Sequence, residues 1–347
     1  MKKLSLTLLF ILLFSSGLFS QDFFWKAGLY SFFDNVEFAG SGVKTSQTMA
    51  GVMITPEAGF RWDSVHTIAG GINLMHEFGS DNIIDNLYPT AYYEYCSKPF
   101  TFIMGAFPRS MALDKYPRMF FQDSVSYYRP NINGIFLQYG VGRNYVNVWL
   151  DWTGRQSTGV REAFFVGLSG RYNLGVLYAE HFSNMFHFAS SKDPFVHEPL
   201  HDNILSQTSV GADLSGRTSF DRLEASAGWV VGLERSRDGD AEWIPRQGMV
   251  VEARAEYRFA GIFSTFYAGE GLMYFYNDHD NELYWGDPVY RAKVYDRTDI
   301  YITFLKKQSV NLELTWSLHF LEGAIYNEQL LKLKVNLNNP GRLTGSR

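Results

Sequence analysis

Residues 308–323 read QSVNLELTWSLHFLEG. Val310, Leu312, Leu314, Trp316, Leu318 and Phe320 are apolar, and Asn311, Glu313, Thr315, Ser317 and His319 between them are polar. Strict alternation over this length specifies a strand with one apolar face and one wet face. The pattern recurs along the chain. RQGMVVEARAEYRFAG sets Val251, Ala253, Ala255, Tyr257 and Phe259 against Glu252, Arg254, Glu256 and Arg258. DRLEASAGWVVGLER and NEQLLKLKVNLNN repeat it with other residues. A chain built this way must cover many apolar faces at once, and the choice of cover decides the fold.

Sixteen such segments can be marked, at 23–34, 47–62, 65–78, 86–97, 99–108, 132–140, 145–153, 160–172, 175–188, 204–216, 220–236, 245–259, 262–276, 295–305, 309–321 and 328–338. Links after even-numbered segments are short: 63–64, 97–98, 141–144, 173–174, 217–219, 260–261 and 306–308. These lengths suit tight hairpins. Links after odd-numbered segments include 35–46, 109–131, 189–203, 237–244 and 277–294, with shorter ones at 79–85, 154–159 and 322–327. Short turns at one end and long loops at the other describe a transmembrane barrel. Lipid would cover the outer face, closure would remove unpaired edges, and a sixteen-strand ring leaves room for water inside. The expected fold is therefore all-β: a single antiparallel up-and-down barrel of about 16 strands, with 14–18 as the bracket. It has short periplasmic turns and long extracellular loops.

The N-terminus supports export. Residues 1–20, MKKLSLTLLFILLFSSGLFS, carry Lys2 and Lys3, then an apolar run and small residues. This is a signal peptide, expected to be cleaved before Gln21. The barrel then occupies 21–338 and a short tail 339–347. The formal charge of −5 argues against nucleic acid. A single cysteine, Cys96, excludes an internal disulfide. Aromatic residues form 17% of the chain and cluster near the expected strand ends, as membrane-interface girdles require.

The signal peptide, sixteen strands, short turns and long third loop together resemble the bacterial outer-membrane porins. MGAFPRSMALDKYPRMFF, which opens the third loop, is similar to the corresponding stretch of phosphate-selective porins. The resemblance implies passive diffusion of small hydrophilic solutes, with the third loop folded into the barrel to narrow it. It also implies an outer-membrane location, contacts with membrane lipid and lipopolysaccharide, the barrel assembly machinery as a folding partner, and a homo-trimer as a common state. The chain departs from the pattern at its end, running into NPGRLTGSR instead of finishing on an aromatic residue.

On this reading Arg109, Asp114, Lys115, Arg118, Asp123 and Arg129 would form the constriction, where opposed charges sort solutes by sign. Tyr116, Phe120, Phe121, Tyr127 and Tyr128 of the same loop would pack it against the wall. Glu252, Arg254, Glu256 and Arg258 would line the lumen. His187, His197 and His201, and the acidic loop tips at Asp238, Asp240, Asp278, Asp280 and Glu282, lack a metal-site pattern, so no metal or other cofactor is expected. G-x-S-x-G, H-E-x-x-H and Gly-rich phosphate loops are missing, and the expectation is a protein that is not an enzyme. Two arrangements could serve catalysis on a barrel, His181 with Ser183 and His319 with Ser317. The alternatives to a diffusion channel are a barrel component of polysaccharide export or surface assembly, and a barrel enzyme of the envelope.

Overall fold

The computed structural model describes residues 21–193, 195, 198–238 and 241–339. The signal peptide, His197, Asp240 and nearly all of the tail lie outside the described residues. Sixteen antiparallel strands close into one barrel. In chain order they are β1 (Asp22–Glu37), β2 (Gln47–Trp62), β3 (His66–Glu77), β4 (Asn86–Ser97), β5 (Phe100–Pro108), β6 (Asn131–Val141), β7 (Asn144–Gly154) and β8 (Ala163–Leu174). There follow β9 (Leu177–Phe188), β10 (His201–Asp213), β11 (Arg222–Ser236), β12 (Ile244–Tyr257), β13 (Ala260–Gly269), β14 (Val294–Lys306), β15 (Val310–Leu321) and β16 (Ala324–Asn338). Each pairs with its chain neighbours, and β1 pairs with β16 to close the ring, Gly28 opposite Asn336.

The alternation resolves as lipid-side and lumen-side faces. On β15, Leu314, Trp316 and Phe320 stay 39–49% exposed on the outside, whereas Ser317 and His319 between them are fully buried inside. Ile54, Ile68, Met104, Val148, Val166 and Met249 continue the exposed apolar surface on other strands. Lipid suits such a belt, because each strand pairs with a neighbour on both sides and the closed ring leaves no open edge.

The short-turn end is made of tight hairpins. Asp63 and Ser64 both adopt positive φ, 52° and 60°, the backbone whose twist matches that of the flanking strands. At this end the link after β10 is longer than expected. β10 ends at Asp213, so the connection to β11 runs over 214–221. The Asp213 carboxylate accepts from the Ser215 N–H at 2.9 Å and turns the chain out of the ladder early.

Two long loops fold inward. Loop 109–130 holds a 3-10 turn at Arg109–Met111 and a helical turn at Val125–Tyr128. Loop 270–293 holds a helix at Tyr276–Leu283 and a 3-10 turn at Pro288–Arg291. The loops join each other: Gln122 N–H donates to the Trp285 carbonyl at 2.8 Å and Asp287 N–H to the Arg118 carbonyl at 2.9 Å. Gly286 permits the contact, since a Cβ there would lie 2.0 Å from the Met119 carbonyl oxygen.

Candidate functional site

The lumen holds a cavity of about 1340 Å³ that reaches from the third loop to the short-turn end. Arg109, Asp114, Lys115, Arg118 and Asp123 border it, with Glu252 and Arg254 on the wall. The third-loop charges are tied up to different degrees. Arg109 is buried and grips Asp151 of β7 at 2.6 Å while its Nε donates to the Arg129 carbonyl. Arg118 bonds Asp123 of its own loop at 2.8 Å and Asp299 of β14 at 3.0 Å. Lys115 lies 4.8 Å over the Tyr145 ring and Arg129 4.1 Å over the Trp285 ring. The loop aromatics face the wall: Tyr127 stacks on Phe32 at 3.9 Å, and Tyr116 meets Phe182 at 5.0 Å.

Of the four expected lumen residues, Glu256 accepts from the Tyr301 hydroxyl at 2.9 Å. Arg258 corrects the expectation. The strand ends at Tyr257, and Arg258 sits exposed in the turn at φ 55°, its N–H on Asp221. A reversal into positive φ ends the period-2 rule, so its side chain no longer follows Arg254 and Glu256.

A buried ionic network anchors the inward loops. Arg297 of β14 contacts Asp299 at 2.6 Å, Glu328 at 3.3 Å and Asp123 at 3.6 Å, and Lys44 of the first long loop reaches Asp287 at 3.0 Å. Burial would lower the Lys44 ammonium, but Asp287 and Glu328 hold its pKa above the ordinary lysine value. Desolvation would raise the Asp123 carboxyl, yet Arg118, Arg297 and Lys332 outweigh it and Glu328, and hold the pKa below the ordinary aspartate value. His319 belongs to this network. Its Nδ1 bonds the Tyr295 hydroxyl at 2.7 Å and its Nε2 lies 3.5 Å from Glu328, while Ser317 accepts from Arg297. His319 and Ser317 are therefore bracing groups inside the wall.

His181 and Ser183 have a different setting. On β9 the inward positions are Tyr178, Phe182, Asn184, Phe186 and Phe188, all buried. His181 and Ser183 fall on the outward parity, toward the membrane. His181 Nε2 lies 3.1 Å from Ser183 Oγ, and His181 Nδ1 lies 2.9 Å from Thr208 Oγ1 on β10. Register places Thr208 directly opposite His181 and Ser206 opposite Ser183. Around them the outer wall is apolar: Val166, Leu168, Val210 and Trp229 are 38–65% exposed. A hydroxyl, an imidazole and a second hydroxyl linked in series are the residue types that acyl transfer can use as nucleophile, base and orienting group. Polar groups on a lipid-facing wall are costly unless they serve a purpose. Two residues apart on a strand ensures that His181 and Ser183 share a face, a signal present in the sequence; which face was hidden.

Comparison with known proteins adds two findings. The fold is that of the outer-membrane porins. OmpTdeltaL8, a loop L8 deletion mutant of the Vibrio cholerae outer membrane protein OmpT, matches at TM-score 0.55 and 8% identity over 92% of this chain and 100% of its own. The anion-selective porin from Comamonas acidovorans matches at 0.54 and 9% over 92% and 99%, and OccK11 (OpdR) from Pseudomonas aeruginosa at 0.52 and 10% over 91% and 96%. No curated protein matches the sequence. The sequence family model that matches, over residues 20–337, describes an enzyme family, which overturns the expectation of a protein that is not an enzyme. That expectation rested on missing soluble-hydrolase motifs, and a strand-borne Ser–His pair needs none of them. A porin-like barrel in fold, the chain belongs to the lipid A 3'-O-deacylase-type family.

Proposed function

We propose that the chain is an outer-membrane ester hydrolase that removes an ester-linked acyl chain from a lipid A-type glycolipid, working on the outer wall of the barrel. The observation that supports this is the hydrogen-bonded series Thr208–His181–Ser183 facing the membrane, where a lipid acyl ester can reach it without leaving the bilayer. With its proton on Nδ1 and donated to Thr208, His181 presents a free Nε2 lone pair to the Ser183 hydroxyl. Attack of Ser183 Oγ on the ester carbonyl passes its proton to Nε2. Collapse of the tetrahedral species expels the alkoxide, which takes that proton, and leaves an acyl-serine. Water, deprotonated by Nε2, then releases the fatty acid.

The test is release of free fatty acid from an acylated diglucosamine lipid by the folded protein in mixed micelles, read by mass spectrometry. The wild type is expected to release it. Ser183→Ala and His181→Ala are expected to lose at least about 10³-fold in rate. Equal release by wild type and Ser183→Ala would sink the reading.

The cavity beneath the third loop favours a second reading, passage of small hydrophilic solutes through the lumen. The two are compatible because they use opposite faces of one wall.

A further inference from the structure

A second polar cluster lies on the same outward face, toward the long-loop end. The carboxylate of Asp202, 3% exposed, takes His187 Nδ1 on Oδ1 at 2.8 Å. On Oδ2 it takes Arg235 Nη2 at 2.7 Å and Arg237 Nη2 at 2.8 Å. Register sets His187 opposite Asp202 and Asp202 opposite Arg235. His187 stands four residues beyond Ser183, and Arg235 four beyond Val231, which opposes Ser206; the clusters are roughly 13 Å apart along the strands. The rim is flanked by aromatic rings at the level where a bilayer turns polar: Arg235 lies 4.3 Å over Trp243, and Phe164 stacks on His187 at 4.8 Å and on Trp152 at 5.2 Å.

Asp202 and its two arginines carry a net +1, and the Arg235 and Arg237 side chains keep 25% and 46% of their exposure. Each guanidinium spends Nε and Nη2 on one carboxylate oxygen. Asp202 thus holds two planar donor groups side by side against one oxygen, both still partly exposed. Planar donors in that arrangement suit a phosphate.

We propose that Arg235 and Arg237 receive a phosphate on the sugar headgroup of the same lipid whose acyl ester reaches Ser183. This rests on the hydrolase reading and adds the group that selects the substrate. The phosphate would fix depth and orientation, so the ester arrives at Ser183 instead of sliding past it.

The experiment compares one acylated diglucosamine lipid in phosphorylated and phosphatase-treated forms. Only barrels shown to be folded by their resistance to unfolding in SDS are compared. The wild type is expected to favour the phosphorylated lipid in kcat/KM by on the order of 10- to 100-fold. R235Q/R237Q is expected to lose that preference, its kcat/KM for the phosphorylated lipid falling to that for the dephosphorylated one, and R235K/R237K to restore part of it. Inactive Ser183→Ala protein should bind the phosphorylated lipid more tightly than the dephosphorylated one. If nothing is cleaved yet that binding difference holds and depends on the arginines, the hydrolase reading falls and the phosphate site stands. A preference that survives R235Q/R237Q, or no preference in the wild type, overturns the site. Equal binding of inorganic phosphate alone would also overturn it, as the mark of a simple anion site.

Discussion

Thr208 is where this site parts from a triad with a carboxylate. A buried carboxylate both orients the histidine and stabilises its protonated form; a hydroxyl can only orient it. The 2.9 Å contact from His181 Nδ1 to Thr208 Oγ1 therefore controls which nitrogen faces Ser183 and adds little charge stabilisation. Thr208→Val keeps the shape and removes the hydrogen bond. It is expected to lower kcat on the order of tenfold with KM unchanged, the worth of one neutral hydrogen bond. Steady-state kinetics on the acylated diglucosamine lipid check this, and a loss as deep as that of Ser183→Ala would mean that Thr208 does more than orient. At this scale the sequence was half legible. His181 and Ser183 can be paired by spacing alone, and so can His319 and Ser317. What separates them is the face. On β15 the apolar residues lie outside and mark the inside as polar. On β9 Tyr178, Phe182, Phe186 and Phe188 fill the inner face, because Tyr116 and Trp285 of the inward loops pack there. Both faces of β9 thus read as partly apolar, and membrane side and lumen side become indistinguishable.

The strands were legible and the loops were not. Expected segments 86–97 and 309–321 meet β4 at Asn86–Ser97 and β15 at Val310–Leu321, because alternation between two unlike solvents carries its own boundaries. Expected segment 262–276 runs too far: β13 ends at Gly269, and residues 270–276 belong to loop 270–293, whose helix and union with the third loop arise from tertiary contacts at Trp285, Gly286 and Asp287. Those contacts depend on charge. The Asp123 carboxyl sits below its ordinary pKa, held by Arg118, Arg297 and Lys332 against Glu328. A carboxyl lowered by folding lends stability that is complete above its unfolded pKa and lost as pH falls through the folded one. The Asp123 contribution to holding the inward loops should therefore be complete from neutral pH down to about pH 5 and be lost below about pH 4. Hydrogen–deuterium exchange of residues 109–130 in detergent-held barrels reads this directly. Asp123→Asn should show the faster exchange at neutral pH and converge with the wild type as the pH falls below about 4; slow exchange in that variant at neutral pH would remove Asp123 from the anchoring role.

In the whole molecule, one wall separates two chemistries. Its inner face holds the charged plug and the cavity, and its outer face holds the Thr208–His181–Ser183 series. Arg118 secures the plug through Asp123 and Asp299, on the far side of the backbone from Ser183. The strands between are braced by a complete ladder, β8 to β9 and β9 to β10 in continuous register. A rigid ladder transmits little of a loop displacement to side chains on its other face, so the two activities should separate. Arg118→Glu sets like charge against Asp123 and Asp299 and should release the third loop, raising single-channel conductance in a planar bilayer and shifting its ion selectivity. Fatty-acid release by the same variant should fall far less than in Ser183→Ala, since the third loop touches this stretch of β9 through the Tyr116 hydroxyl on the Ser183 carbonyl at 3.5 Å and the Tyr116 ring on Phe182, from the inner side of the wall. Ser183→Ala should give the reverse, lost hydrolysis and unaltered conductance. Coupled loss in either variant would mean that the acyl chain or the water needed for hydrolysis passes through the lumen, and that the outer-face series is the exit of a path that begins under the third loop.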